Sequence, residues 1–305
     1  MIHSSRYLPV GKLPVDILVD LLARAPVNDP RILLGPGIGL DCAVVDLGDR
    51  CLVFKSDPIT FASDEIGWYA VQVNANDIAT TGARPRWMLA TLLLPEASTS
   101  IKMVSAIFDQ VYKACEEIEV DVIGGHTEIT YGLDRPILVG TLIGEVKREG
   151  LITPQGIQTG DRLLLTKGVP VEATAIISRE FPNRLKDHLK PLELQAAQDF
   201  LYQPGISVLR EAQLAAETGL VTGMHDPTEG GLYGALWELA QASDKALAID
   251  ISSVPVPEIS RRVCIAVGID PLGAIASGSL LLAVKSNGAA DVCGLLESQG
   301  INCKE

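Results

Sequence analysis

The chain has 305 residues, of which 47% are apolar and only 5% aromatic, and it carries a formal net charge of −13. That length suits two domains with aliphatic cores, and the acidic balance excludes a nucleic-acid binder, which needs a basic face. No apolar run reaches the length of a membrane span, Met1 to Arg6 lack the apolar core of a signal peptide, and the six cysteines (42, 51, 115, 264, 293 and 303) form no Cys-x-x-Cys pair, so buried reduced thiols in a cytoplasmic protein are expected.

In chain order, residues 13–25 have helical spacing, with Pro14 suited to a first turn. Residues 42–46 and 51–56 are expected as strands joined at Gly48-Asp49, a hairpin signal. A helix over 66–82 should stop at Gly82, before Pro85. Strands follow at 86–94, 119–124 and 136–146, with an amphipathic helix at 99–118. Residues 153–161, rich in turn formers, are the best linker, so the expected domains are 1–150 and 151–305. The second half predicts strands at 162–166, 247–251 and 279–284, and helices near 171–179, 191–201, 206–218 and 230–242. Strands and helices are mixed without strict alternation, which favours α+β halves.

Four stretches in the first half place carboxylates or amides beside turn formers: Gly39-Leu40-Asp41-Cys42-Ala43, Lys55-Ser56-Asp57-Pro58, Asn74-Ala75-Asn76-Asp77 and Gly124-Gly125-His126-Thr127-Glu128. Hard oxygen ligands drawn from separate elements are what Mg²⁺ needs, and Mg²⁺ commonly accompanies a nucleotide phosphate. Taken singly, Asp41 reads equally as a solvated loop residue and Asp57 as a turn starter. Asn74, Asn76 and Asp77 lie inside an apolar helix, where amides and carboxylates need partners, supplied by a ligand or by an internal hydrogen-bond network. In the second half, His225-Asp226-Pro227-Thr228-Glu229-Gly230-Gly231 opens a helix, with Asp226 or Thr228 as cap and Gly230 and Gly231 exposing backbone donors to an anion. Ala276-Ser277-Gly278-Ser279 is placed to line the same pocket. Lys12 and Lys167 are the lysines best placed for phosphate.

In order, these stretches resemble the superfamily of aminoimidazole ribonucleotide (AIR) synthase, which includes hydrogenase maturation factor HypE, selenophosphate synthetase and thiamine-monophosphate kinase. Asp41 looks like the superfamily's Gly-Asp-Asp-Ala-Ala loop, Asp57 its Ser-Thr-Asp strand end, Asn76-Asp77-Ile78-Ala79 its Asn-Asp-Leu-Ala helix, and Gly124-Gly125-His126-Thr127 its Gly-Gly-Asp/Glu/His-Thr turn. Asp226-Pro227-Thr228-Glu229-Gly230-Gly231-Leu232 is similar to the HypE form. The resemblance implies a two-domain α+β fold. The N-terminal domain would close a β-barrel across a homodimer, and the C-terminal α+β domain would be shortened at its end. It implies ATP in the cleft, Mg²⁺ on Asp41, Asp57 and Asp77, and catalysis by His126, Glu128 and Asp57. Lys12, Gly39, Asn76, Gly124, Gly125, Thr127, Asp226, Thr228, Gly230 and Gly231 would hold the nucleotide. The implied chemistry is ATP-dependent activation of an oxygen or amide-type group on a small-molecule or carrier-bound substrate, with a maturation partner protein as a further expectation. The alternatives are a small-molecule kinase resembling thiamine-monophosphate kinase and a non-catalytic nucleotide-binding assembly factor. Two departures stand out. Cys303 is not terminal, unlike the cysteine that ends HypE, and His126 stands where the kinase and AIR synthase have an acid, with Glu128 its candidate substitute.

Overall fold

The computed structural model describes residues 7, 8, 10–60, 62 and 64–305. The helix α1 (Val15–Leu22) buries none of its residues. Six strands then form one sheet: β1 (Ile32–Leu34), β2 (Ala43–Asp46), β3 (Arg50–Ile59), β4 (Arg84–Pro95), β5 (Asp121–Thr130) and β6 (Ile137–Lys147). Their order is β1-β2-β3-β6-β4-β5. All pairings are antiparallel except β4 with β5, which run parallel. A parallel pair needs a crossover, and the helix α3 (Ile101–Glu117) supplies it, capped by Ser100, whose hydroxyl accepts from the Met103 N–H at 3.2 Å.

The helix α2 (Ile66–Thr80) is buried along its whole length. It packs between the sheet and α3 on one side and the second half of the chain on the other. Such burial explains its weak amphipathic pattern: a helix covered all round need not show a polar face. The side chains of Val53, Leu138 and Leu142 point from the sheet toward it. The opposite face of the sheet is half exposed and partly apolar, since residues on a strand alternate between faces.

The second half builds a four-stranded antiparallel sheet, β10-β7-β9-β8, from β7 (Arg162–Thr166), β8 (Val221–His225), β9 (Leu281–Val284) and β10 (Cys303–Lys304). Its helices are α4 (Glu172–Glu180), α5 (Pro182–Leu185), α6 (Pro191–Gln198), α7 (Leu209–Glu217), α8 (Gly231–Ser243), α9 (Glu258–Val267) and α10 (Ala289–Ser298). Leu282 and Val284 share a core with α7 and α10, whereas Leu281 packs with Leu232 and Ala235 of α8. The strand alternation of β9 therefore serves two helical layers.

Several expectations need correction. The strand expected at 119–124 runs to Thr130, so the Gly124-Gly125-His126-Thr127-Glu128 motif is strand and not a turn. No strand occupies 247–251. There, Asp250 Oδ1 accepts from the N–H of Ser252 at 3.0 Å and caps a short 3-10 turn over Ile251–Ser253. The strands β1, β8 and β10 and the helices α5, α9 and α10 were not among the expected elements; α9 has a periodic apolar face as clear as that of α1 and was simply missed. Among the described residues the first sheet is open, with β1 and β5 at its edges, so no barrel closes within one chain. No helix is long and apolar enough to cross a membrane among the described residues. All six cysteines are free, and all but Cys293 are buried.

Candidate functional site

The two halves meet at a cavity of about 500 Å³ whose lining includes Lys12, Asp41, Lys55, Asp57, Asp77, Thr228 and Glu229. Each acid arrives from a different element. Asp57 sits near the end of β3, where the Asn74 side chain grips its backbone: Asn74 Oδ1 accepts from the Asp57 N–H at 2.9 Å. Asp77 projects from buried α2, three residues beyond Asn74. Asp41 ends the loop before β2. At Gly39, φ is +68°, and a Cβ there would lie 2.5 Å from the carbonyl oxygen of Glu238, so glycine lets this loop rest directly on α8.

Lys55 and Asp57, two apart on a strand, share a face. Lys55 Nζ lies 3.1 Å from Asp57 Oδ2 and 2.9 Å from Asp77 Oδ2. His225, at the end of β8, places Nδ1 2.8 Å from Asp41 Oδ2 and Nε2 3.1 Å from Glu238 Oε2. Asp226 is fully buried. Neither of its carboxylate oxygens meets a hydrogen-bond donor among the described N–H and hydroxyl groups, and the Asp77 carboxyl is its close neighbour. Asp41, His225 and Asp226 offer ligand atoms within 4.8 Å of one another.

The electrostatics follow from crowding. Burial pushes Asp226 up to about 6, with the negative charge of Asp41 acting in the same direction. Asp77 is also raised well above the usual carboxylate range, first by burial, although Lys55 opposes it. Asp41 goes the other way: burial would raise it, but the charge and hydrogen bond of His225 hold it low. The Lys55 ammonium is held charged against its own burial by Asp77, Asp57 and Asp41. Asp41, Asp57, Asp77 and Asp226 thus face Lys55 and His225, and no described N–H or hydroxyl group reaches the buried Asp226 carboxylate, whose close partner is the Asp77 carboxyl. A hard divalent cation with oxygen ligands fits this donor set.

The structure gathers Asp41, Asp57, Asp77, Asp226, Thr228 and Lys12 at one place. Lys12 reaches Glu229 at 3.5 Å and Glu238 at 3.4 Å. Gly230 and Gly231 open α8 next to Thr228, with positive φ at both. Asn76 is a correction: its Nδ2 donates to the Ile206 carbonyl and its Oδ1 accepts from the Val208 N–H, each at 2.8 Å, so both ends are spent tying α2 to the second half. Lys167 is another, since its Nζ is buried against Glu211 at 2.8 Å and against the carbonyls of Gly205 and Ser207. Gly124, Gly125, His126, Thr127 and Glu128 are not brought to the carboxylates of their own chain. They lie exposed on the edge strand β5, with His126 Nε2 3.4 Å from Glu128 Oε2. Gly125 is required by packing, because a Cβ there would lie 1.9 Å from the Ala90 carbonyl oxygen on β4.

Sequence reasoning missed Lys55, His225, Glu238, Glu172 and Tyr69. Only the spacing of Lys55 to Asp57 carried a readable signal. A second cavity, of about 700 Å³, lies against β7 and is walled by leucines including Leu163, Leu165 and Leu281. Its acids, Asp161, Asp250 and Glu305, do not converge as a ligand cluster among the described residues.

The comparisons agree with this geometry. Residues 39–146 match the family model for the AIR synthase related protein N-terminal domain, and residues 158–305 match the C-terminal domain model. A Methanocaldococcus jannaschii protein named "Putative hydrogenase expression/formation protein" is 30% identical over 293 residues, covering 92% of this chain and 82% of its own. The carbamoyl dehydratase HypE of Azotobacter vinelandii is 28% identical over 291 residues, covering 92% and 78%. A crystal structure of hydrogenase maturation protein HypE in complex with ATP superposes with a TM-score of 0.69 at 25% identity, covering 90% of this chain and 80% of that one. With both of its halves matched in order, the chain belongs to the AIR synthase related protein family.

Proposed function

We propose that this protein is an ATP-dependent enzyme that activates a substrate oxygen or amide-type group by phosphoryl transfer in the cleft between its halves. One observation carries the reading: acids from a loop, a strand end and a helix line one cavity beside a buried lysine, with the second-half Asp226 buried against them. Asp41, Asp57, Asp77 and Asp226 would hold Mg²⁺, and Lys55, Lys12 and Thr228 would meet phosphate oxygens. Bound magnesium ATP supplies the phosphoryl group and, through the cation, offsets its charge. The protein's part is positioning and charge neutralisation in a partly dry site. Asn74 fixes the backbone at Asp57, His225 orients Asp41, and the ammonium of Lys55 offsets carboxylate repulsion.

The same reading gives the exposed motif on β5 a place. Ile123 and Ile129 on β5 are 54% and 59% exposed, and Leu89 on the neighbouring strand is 37% exposed. An unpaired edge with apolar residues is suited to a second copy. In a homodimer with a barrel closed across the two sheets, His126, Thr127 and Glu128 would be supplied to a site from the partner copy. A small-molecule or carrier-bound substrate, the latter delivered by a maturation partner, belongs to the same proposal.

Titration calorimetry with ATP, with and without Mg²⁺, tests the reading. Asp57→Asn should abolish most of the Mg²⁺-dependent gain in affinity, by about tenfold or more. An unchanged gain would overturn it. Product analysis then separates a kinase, which leaves phosphate on an isolable acceptor, from a dehydrating or cyclising enzyme, which releases it.

A further inference from the structure

The helix α2 presents three residues to the cavity, Tyr69, Val73 and Asp77, each four positions from the next. At a rise of about 1.5 Å per residue, Tyr69 stands about 12 Å along the helix from Asp77. The cavity thus has a second end, away from the carboxylate cluster. Ile59, Ala62, Ile176 and Ile275 give it apolar walls, and Glu172 and Ser277 face it from the second half.

Two polar groups at this end have unspent hydrogen-bonding capacity. Tyr69 is 2% exposed, and its hydroxyl has no partner among the described residues. Glu172 is 4% exposed, and its carboxyl accepts from the Ser277 N–H at 3.3 Å and also meets the Ser277 hydroxyl, which leaves acceptor capacity to spare. The two groups interact electrostatically. A buried hydroxyl without a partner, like that of Tyr69, is rare enough to call for an explanation, and a ligand bridging Tyr69 and Glu172 would supply one.

We infer that Tyr69 and Glu172 form the acceptor subsite of the cleft, taking an uncharged group that accepts a hydrogen bond from Tyr69 and donates one to Glu172. This rests on the nucleotide occupying the carboxylate end. Apolar walls make a fully charged group costly to desolvate. Above about pH 7, where Glu172 is ionised, an anion is further opposed by its charge and by those of Glu229 and Asp226. A primary amide or a urea presents donor and acceptor side by side, and a carboxylate or phosphate does not. The subsite therefore selects against acceptors that would bury an anionic group beside Tyr69.

The test uses the full chain labelled with 3-fluorotyrosine. Of six tyrosine signals, the one lost in Tyr69→Phe reports the subsite. Acetamide, acetate and inorganic phosphate are added separately at about pH 8.5, above the range where Glu172 holds a proton, with and without magnesium and a non-hydrolysable ATP analogue. Acetamide is expected to shift the Tyr69 signal saturably, at least about tenfold more tightly than acetate, as one lost charge-opposed hydrogen bond implies. Glu172→Gln should bring acetate close to acetamide. Equal effects of acetate and acetamide on the wild type, or no acetamide shift in either condition, would overturn the subsite. Failure of the analogue to bind by calorimetry, with the acetamide shift retained, would overturn the nucleotide reading alone.

Discussion

His225 Nδ1 lies 2.8 Å from Asp41 Oδ2, and this one contact joins the loop before β2 to the end of β8 across the two halves of the chain. Glu238 holds the other ring nitrogen at 3.1 Å, so both nitrogens face carboxylates and the ring serves as a donor on both sides. A carboxylate oriented in this way loses little freedom when it takes up a cation. Replacing His225 with Ala should therefore weaken Mg²⁺-dependent ATP binding by about 10- to 100-fold. His225→Asn, whose amide can still donate toward Asp41, should recover part of that loss. Calorimetry in matched magnesium and chelator buffers distinguishes this from simple destabilisation, which would weaken both conditions alike.

Of the four acids at the site, Asp77 was legible because it interrupts an apolar helix, and the other three because a residue with a strong backbone preference is close by: Gly39 before Asp41, Pro58 after Asp57 and Pro227 after Asp226. Such neighbours mark strand ends and turns, where ligand groups can converge. The roles of Asn76 and Lys167 were not legible. Both were chosen for chemistry that a ligand could use, yet their partners are Ile206, Val208 and Glu211, more than 40 positions away in sequence. Spacing along a chain carries no information about contacts made at that distance. His225 was hidden for the same reason, since its carboxylates come from positions 41 and 238. The edge strand β5 illustrates another limit: its glycines resemble a turn, but the close approach of β4 at Ala90 makes them strand residues.

Asn76 separates a structural tie from a ligand. Its amide answers the buried carbonyl of Ile206 and the buried N–H of Val208. Asn76→Ala leaves both unpaired, at about 1–3 kcal/mol for each orphaned group. The urea midpoint should fall, while the ATP affinity of the folded fraction stays near the wild-type value. Asn76→Asp provides the sharper contrast. A cation ligand would tolerate or welcome the added charge, whereas a tie must then press a carboxylate against the Ile206 carbonyl. Loss of stability in both variants, with nucleotide binding retained, is the expected pattern. Stronger metal binding in Asn76→Asp would refute it.

Glu172 makes stability depend on pH with a defined sign. Burial, supported by the charges of Glu229 and Asp226 and opposed by the Ser277 hydrogen bond, raises its carboxyl from 4.5 to about 7. Between those values the folded protein holds a proton that the unfolded chain has released. Stability from this group therefore falls as pH rises from about 4.5 to about 7, and the loss is complete above that. A shift of this size corresponds to about 3 kcal/mol at pH 8. Glu172→Gln keeps an acceptor for the Ser277 N–H but cannot ionise. The difference in unfolding free energy between variant and wild type, measured by urea titration without nucleotide, should be small at pH 4.5. By pH 8 it should grow in favour of the variant by about that amount. Asp226 and Asp77 titrate in both proteins and so cancel in the comparison to the extent that they are not coupled to Glu172. A difference that stays flat from pH 4.5 to 8 would mean that Glu172 is better solvated or better paired than its 4% exposure and its contacts with Ser277 imply.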